Sequence, residues 1–299
     1  MTTTVQLGPR KLNLTNLEKV LYPSGFTKAQ VIDFYLKIAP ILLPHLKDRH
    51  LTLKRYPNGS TGMHFFEKQC PDHRPPWIKT AGVLTSKHER TIDYCVVEDK
   101  PSLLWIANLA AIELHTPLSK ASDPDHATSM VFDLDPGPGT DIVDCAKLGL
   151  KLRDILLRLK LKSFPKTSGG KGLHVWVPLN TRPTFDQTKT FANAIATIFA
   201  KENPRQVTAI IAKSERPGKI FIDWSQNDRG KTTVCAYSLR AKDQPSVSTP
   251  VTWDEVDQAV ARRSPRLLTF LAEDVLARVE EEGDLFKPVL TTKQRLPMM

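Results

Sequence analysis

Apolar positions along the chain recur with two periods, and the change from one to the other marks the elements. Val31, Phe34, Tyr35 and Ile38 repeat at helical spacing behind Thr27 and Gln30, which stand three apart as a capping box requires, so a helix is predicted from Thr27 to about Leu43. Leu51–Tyr56 and Met63–Gln69 read as strands around the turn Pro57-Asn58-Gly59, and Thr91–Val97 reads as another strand. Leu103–Ile112 reads as a short apolar helix. Met130–Leu134 is a strand stopped by Pro136-Gly137-Pro138-Gly139, and a long helix follows from about Asp141, with Cys145, Leu148, Leu152, Ile155, Leu156 and Leu159 on one face. After a glycine-rich turn come a strand at Leu173–Val177, a helix at about Asp186–Lys201, a strand at Ile220–Trp224, and helices at about Trp253–Arg262 and Leu267–Glu281. Hairpins mixed irregularly with helices predict an α+β fold with mixed and antiparallel sheets flanked by helices, rather than a doubly wound parallel sheet. The sequence contains no repeat, low-complexity tract or Gly/Ser linker, and its 23 prolines are scattered, so a single compact domain over residues 1–299 is expected.

Composition narrows the class. Of 299 residues, 40% are apolar and 25% charged, with mean hydropathy −0.28, which is ordinary for a globular protein with a real core. No apolar run reaches membrane-spanning length and the N-terminus lacks a signal-peptide pattern, so neither membrane insertion nor secretion is expected. Lysine and arginine number 42 against 32 acidic residues, a net charge of +10 that favours a polyanionic partner. Cys70, Cys95, Cys145 and Cys235 lie far apart without a C-x-x-C pair, so no structural disulfide is expected. Cys70 and His73 have metal-ligand spacing, but no second pair follows to complete a zinc site.

The chemistry concentrates in a few stretches. Asp133 and Asp135 end an apolar strand, and its period of two sends both carboxylates from the same face. Side by side they repel unless a cation neutralises them, and oxygen-only ligation suits magnesium or manganese; the plainer reading is a strand that ends in a turn. Asp223 closes a second apolar strand in the same way and becomes a third carboxylate if the two strands are neighbours. Between them Thr167-Ser168-Gly169-Gly170-Lys171-Gly172-Leu173-His174 forms a loop whose amides can approach phosphate oxygens, with Ser168 and Lys171 as donors and His174 close by. A strand follows rather than a helix, so it is not a Walker A loop, and a glycine turn with a solvated lysine is the alternative. Lys28 stands in the first helical turn, where its charge opposes the helix dipole unless an anion completes the site, with Asn16 and Lys19 just upstream. Lys54-Arg55-Tyr56 and His64-Phe65-Phe66-Glu67-Lys68 interleave cations with aromatics, as base-stacking surfaces do. Adjacent Phe65 and Phe66 must face opposite sides of a strand, so the alternative is that one or both belong to the core. Arg216 and Arg240 flank the Asp223 strand.

Taken in order, LTNLEKVLYP, KRYPNG, FFEKQ, IELHTP, FDLDPGPG, TSGGKGLHVWVPL, KIFIDWSQN and YSLR resemble the polymerase domain of bacterial ligase D, in the archaeo-eukaryotic primase superfamily, from about Leu14 to Asp284. The resemblance implies a primase-like fold and a template-directed nucleotidyltransferase of non-homologous end joining, using two manganese or magnesium ions and NTP or dNTP, ribonucleotides by preference. It implies Asp133, Asp135 and Asp223 as the catalytic metal-binding carboxylates. His115, Ser168, Lys171, His174, Arg216 and Arg240 match positions around the triphosphate, with Lys54 and Gln226 nearby. Asn16, Lys19 and Lys28 match the pocket for the 5′-phosphate of the downstream strand, and Phe65 and Phe66 the aromatics that stack on DNA. Lys87-His88-Glu89-Arg90 sits where the family carries a loop handling the opposing DNA end. The implied partners are gapped or broken DNA bearing a 5′-phosphate, a DNA ligase and an end-binding protein, in the cytoplasm at the nucleoid. The K-x-D-G motif of an adenylating ligase module is absent, so a stand-alone polymerase or a domain of a longer chain is expected. A metal-dependent nuclease and a non-catalytic end-binding scaffold are the competing classes.

Overall fold

The structure is a computed structural model and describes residues 2–85 and 90–297. The chain segregates into two compact units, residues 1–117, 232–248 and 271–283 forming the first and residues 118–231, 249–270 and 284–299 the second. Neither unit is continuous in sequence, which is why no linker marks the division. Among the described residues no helix is long and apolar enough to cross a membrane.

The first unit opens with an antiparallel hairpin, β1 (Thr2–Leu7) and β2 (Arg10–Thr15). Helix α1 (Lys28–Leu46) starts where predicted, with Thr27 and Gln30 forming the capping box, and continues past Pro40 and Pro44. There follow β3 (Thr52–Arg55), β4 (Phe65–Glu67), β5 (Lys79–Thr85), β6 (Arg90–Val96), α2 (Lys100–Asn108) and β7 (Ala111–Pro117). The apolar run expected to form one helix to Ile112 thus splits. The helix ends at Asn108, Ala110 takes a positive φ of 58°, and Ile112 begins a buried strand. Hydrophobicity alone does not separate a buried helix from a buried strand.

The second unit follows with the short ribbon of β8 (Ser119–Lys120) and β9 (Asp123–Ala127), then β10 (Ser129–Pro136), α3 (Ile142–Arg158), β11 (Phe164–Thr167), β12 (Leu173–Pro178), α4 (Phe185–Glu202), β13 (Val207–Thr208) and β14 (Ile220–Asp223). Its five-stranded sheet has the order β11-β12-β10-β14-β13 and is antiparallel except for the β13–β14 pair. One face presents Met130, Phe132, Leu134, Leu173, Val175, Val177, Ile220 and Ile222 to Leu148 and Leu152 of α3 and Phe191 and Ile195 of α4. Because strand side chains alternate, Asp133, Asp135, His174 and Asp223 all leave the opposite face.

The chain returns to the first unit with β15 (Thr232–Val234), giving a four-stranded sheet in the order β15-β7-β3-β4. Helix α5 (Trp253–Ala261) joins the second unit, α6 (Ala272–Glu282) the first and α7 (Lys287–Thr291) the second. The tail helix expected from Leu267 is instead a 3-10 turn at Pro265–Leu268 followed by α6, whose start is set by the Asp274 carboxylate accepting the Leu271 amide at 2.8 Å. Against expectation, Cys70 and Cys95 form a disulfide. The Cys70 amide donates to the Asp93 carbonyl and brings two sequence-distant cysteines together, a proximity that spacing does not reveal. Cys70 is thereby removed from any metal role with His73, while Cys145 and Cys235 are buried and outside any disulfide.

Candidate active site

In the second unit Asp133 of β10 lies directly opposite Asp223 of β14 and His174 of β12, and His174 lies opposite Lys166 of β11. Register partners share a face, so one row across four strands reads Lys166, His174, Asp133, Asp223. Asp135, two residues along β10, lies opposite Phe221 on that same face. The three predicted carboxylates are therefore brought together. His174 Nε2 stands 3.2 Å from Asp133 Oδ1. Asp223 Oδ1 accepts the Ser225 amide at 3.0 Å and hydroxyl at 2.6 Å, and its Oδ2 accepts Gln226 Nε2 at 2.9 Å, so Gln226 orients the third carboxylate. Among the described residues no group of three or more His, Cys, Asp or Glu side chains is set as a ready metal cage. The donor set itself, three carboxylates on one face with direct strand adjacency, fits a hard divalent cation.

The glycine loop connects β11 to β12 beside this row. Ser168 organises it from within: its hydroxyl accepts the amides of Gly170 and Gly172, both at 3.1 Å, and its own amide donates to the Gly172 carbonyl. Gly172 has no room for a side chain, since a Cβ there would sit 2.6 Å from the Leu134 carbonyl oxygen and 3.5 Å from an Asp135 carboxylate oxygen. Lys171 is exposed at the tip. The Arg216 guanidinium lies 3.9 Å from the centroid of Phe221, opposite Asp135, and donates to the Ile211 carbonyl.

The first unit carries a second cluster. Lys54 of β3 pairs in register with Phe66 of β4 and Glu113 of β7, and His115 follows Glu113 on the same face. Glu113 is 1% exposed. Burial alone would push its carboxyl up, but His115, Arg240 and Lys54 outweigh burial and hold it well below the usual carboxylate range. Burial also lowers the His115 imidazole, partly opposed by Glu113. Arg240 reaches this cluster because the loop before it is clamped: Ser238 Oγ accepts the Leu114 amide at 2.8 Å, and the Tyr35 hydroxyl accepts the Leu239 amide and donates to the Ile112 carbonyl.

The residues matched to a 5′-phosphate pocket also assemble in the first unit. The Lys28 ammonium is buried and donates to the Thr15 carbonyl at 2.6 Å; Asn16 follows at a positive φ of 54°, and Lys19 Nζ is 3.4 Å from Asn58 Oδ1. Burial, followed by the charges of Lys19 and Arg55, pushes the Lys28 ammonium down to about 8. The helix-terminal amides of Lys28 and Ala29 donate to the carbonyls of Lys19 and Leu17, so these two amides are already spent within the chain. Phe65 and Phe66 face opposite sides of β4 and neither belongs to the core, being 41% and 57% exposed. Arg55 lies over Phe65 and Lys54 over Phe66. Of the polar tip Lys87-His88-Glu89-Arg90, residues 87–89 lie outside the described residues.

Sequence reasoning left out Glu113, Lys166 and Phe221 as site residues. Glu113 had a signal, a carboxylate inside an apolar strand two positions from His115. Lys166, fully buried, is equally conspicuous once its strand is known.

A sheet face bearing three carboxylates, with a glycine loop at its edge, is the equipment of enzymes that transfer phosphoryl or nucleotidyl groups. The comparison with known families makes the class particular: the family described as LigD, primase-polymerase domain, matches residues 27–286. The chain belongs to this family. It is 40% identical over 282 residues to the multifunctional non-homologous end joining protein LigD of Mycolicibacterium smegmatis, covering 93% of this chain and 36% of that protein. It is 30% identical over 290 residues to the bifunctional non-homologous end joining protein LigD of Bacillus subtilis, covering 96% and 46%. The solved polymerase domain of Mycobacterium tuberculosis ligase D in complex with DNA superposes with a TM-score of 0.86 at 36% identity, covering 95% of this chain and 99% of that one. The chain thus spans about a third to a half of these curated relatives' length. As a primase-polymerase domain of this fold it is a nucleotidyltransferase.

Proposed function

We propose that the chain acts as one polymerase domain that adds nucleotides, ribonucleotides by preference, to DNA at gaps and double-strand-break ends during non-homologous end joining. The observation that carries this reading is the register of Asp133 against Asp223, with Asp135 on the same face beside the glycine loop. In the reaction a primer 3′-hydroxyl attacks the α-phosphate of the incoming nucleotide and pyrophosphate leaves. Asp133, Asp135 and Asp223 would hold two manganese or magnesium ions, which supply activation of the hydroxyl and neutralisation of the developing charge. His174 orients Asp133, and Gln226 orients Asp223. Ser168 shapes the loop that presents Lys171 and backbone amides to the triphosphate, and Arg216, Arg240, His115 and Lys54 add positive charge for it. Asn16, Lys19 and Lys28 take the 5′-phosphate of the downstream strand, and Phe65 and Phe66 stack on exposed bases. A DNA ligase and an end-binding protein are the proposed partners, at the bacterial nucleoid. The test is extension of a gapped duplex bearing a 5′-phosphate, comparing ribo- with deoxyribonucleotides and manganese with magnesium. Nucleotide-dependent lengthening of the primer is expected. Strand cleavage without extension would favour a nuclease, and tight binding with neither reaction would favour a scaffold.

A further inference from the structure

We propose that Glu113 is the positioning residue of the nucleotide grip, a single buried carboxylate that fixes Lys54, His115 and Arg240 in one arrangement. This rests on the reading that those three side chains meet the triphosphate.

Glu113 spends both oxygens. Oε1 accepts the Tyr56 hydroxyl at 3.1 Å and the Ala241 amide at 3.2 Å, with Lys54 Nζ 4.0 Å away. Oε2 faces His115 Nε2 at 3.0 Å and Arg240 Nε at 3.3 Å. These partners come from β3, from the segments that follow β3 and precede Lys242, and from β7 itself, so one carboxylate ties three parts of the chain. A buried carboxylate is costly unless its charge is balanced. Here Lys54 and Arg240 both bring positive charge to the one carboxylate. Arg240 approaches Glu113 through Nε as an ion pair rather than a hydrogen bond, and His115 approaches it through Nε2, so Glu113 meets one edge of each group. Phe66, whose ring lies edge-on to His115 at 5.7 Å, borders the same cluster.

The experiment is steady-state incorporation into a gapped duplex by the full chain carrying Glu113→Gln, with thermal melting and gapped-DNA affinity measured alongside. The expected result is a nucleotide KM raised by about tenfold or more, kcat changed by less than about threefold, and unchanged DNA affinity. A KM equal to wild type in a folded variant overturns the proposal, as does a fall in kcat that merely tracks a lowered melting temperature. If the Gln variant does not fold, Glu113→Asp decides. It keeps the charge but withdraws it by one methylene, and a raised KM supports the proposal whereas an unchanged KM overturns it. Arg240→Ala separates the two levels. If it leaves the nucleotide KM unchanged, the reading of the grip itself is wrong; if it raises KM and Glu113→Gln does not, only the positioning role fails.

Discussion

Asp133 and Asp223 stand directly opposite each other in the antiparallel β10–β14 pair, and backbone hydrogen bonds on both strands fix their Cα atoms about 4.5–5.5 Å apart. Like charges in that position destabilise a sheet. The arrangement therefore works against stability and for cation binding. Replacing Asp223 with Asn keeps an acceptor for the Ser225 amide while removing one charge. In metal-free buffer Asp223→Asn is expected to melt at the wild-type temperature or a few degrees above it. A clear drop in melting temperature would mean that the carboxylate serves the fold.

The proposed 5′-phosphate pocket predicts a pH dependence through Lys28. Its ammonium is pushed down to about 8, so it is charged below that pH and neutral above it. Preference for a 5′-phosphate over a 5′-hydroxyl duplex should therefore decline as pH rises from 7 to 9, and Lys28→Ala should flatten the profile. Affinities for both duplexes across that range check it; a preference that holds constant to pH 9 contradicts the role of Lys28.

Gly172 is the tightest point of the glycine loop against the carboxylate strand. In Gly172→Ala the new methyl meets the Leu134 carbonyl at 2.6 Å, and because that atom is backbone the loop must move. A loss of about 1–3 kcal/mol in stability is expected, together with a raised nucleotide KM. Denaturant unfolding and extension kinetics measure both.

Acid should unfold the first unit. Glu113 is held below its unfolded value of about 4.5, so it contributes stability above that pH which is lost as pH falls through the native value. His115 is held below about 6.5, so the unfolded chain takes its proton first and stability falls from there downward. Both act in the same direction. Urea midpoints should decrease from pH 7 to pH 4, and Glu113→Gln should lessen the slope below about pH 4.5.

The disulfide gives a direct count. Denatured without reductant, the protein should show two reactive thiols, Cys145 and Cys235, and four after reduction. Closing a loop over a sequence separation of 25 contributes about 3 kcal/mol in the chain-entropy account, so reduction should lower stability by up to that amount. Four thiols at the outset would contradict the pairing.

Sequence pattern located the elements that hold the carboxylates almost to the residue. Met130–Leu134, Leu173–Val177 and Ile220–Trp224 are apolar runs bounded by turn residues, and Thr27 announces α1 through its capping box. What it did not reveal is long-range pairing. β10 lies between β12 and β14, an order that local patterning does not encode. The short strands β1, β2, β8, β13 and β15 were missed because two to six residues with weak alternation carry little signal. Ile112 was misplaced for the opposite reason, since an unbroken apolar run suits helix and strand alike. The site residues were legible wherever a charge interrupts an apolar strand. Glu113, a carboxylate inside the apolar strand β7, obeys the same rule.

The central claim is that the carboxylate row performs nucleotidyl transfer. Its most direct test is single-turnover addition of one nucleotide to a gapped, 5′-phosphorylated duplex at saturating DNA, by the wild type and by Asp133→Asn and Asp223→Asn, with DNA affinity measured in parallel. Removing one carboxylate should slow addition by about a thousandfold or more while DNA affinity stays equal or slightly tighter. Addition within about tenfold of wild type by either variant at full DNA occupancy would contradict the account.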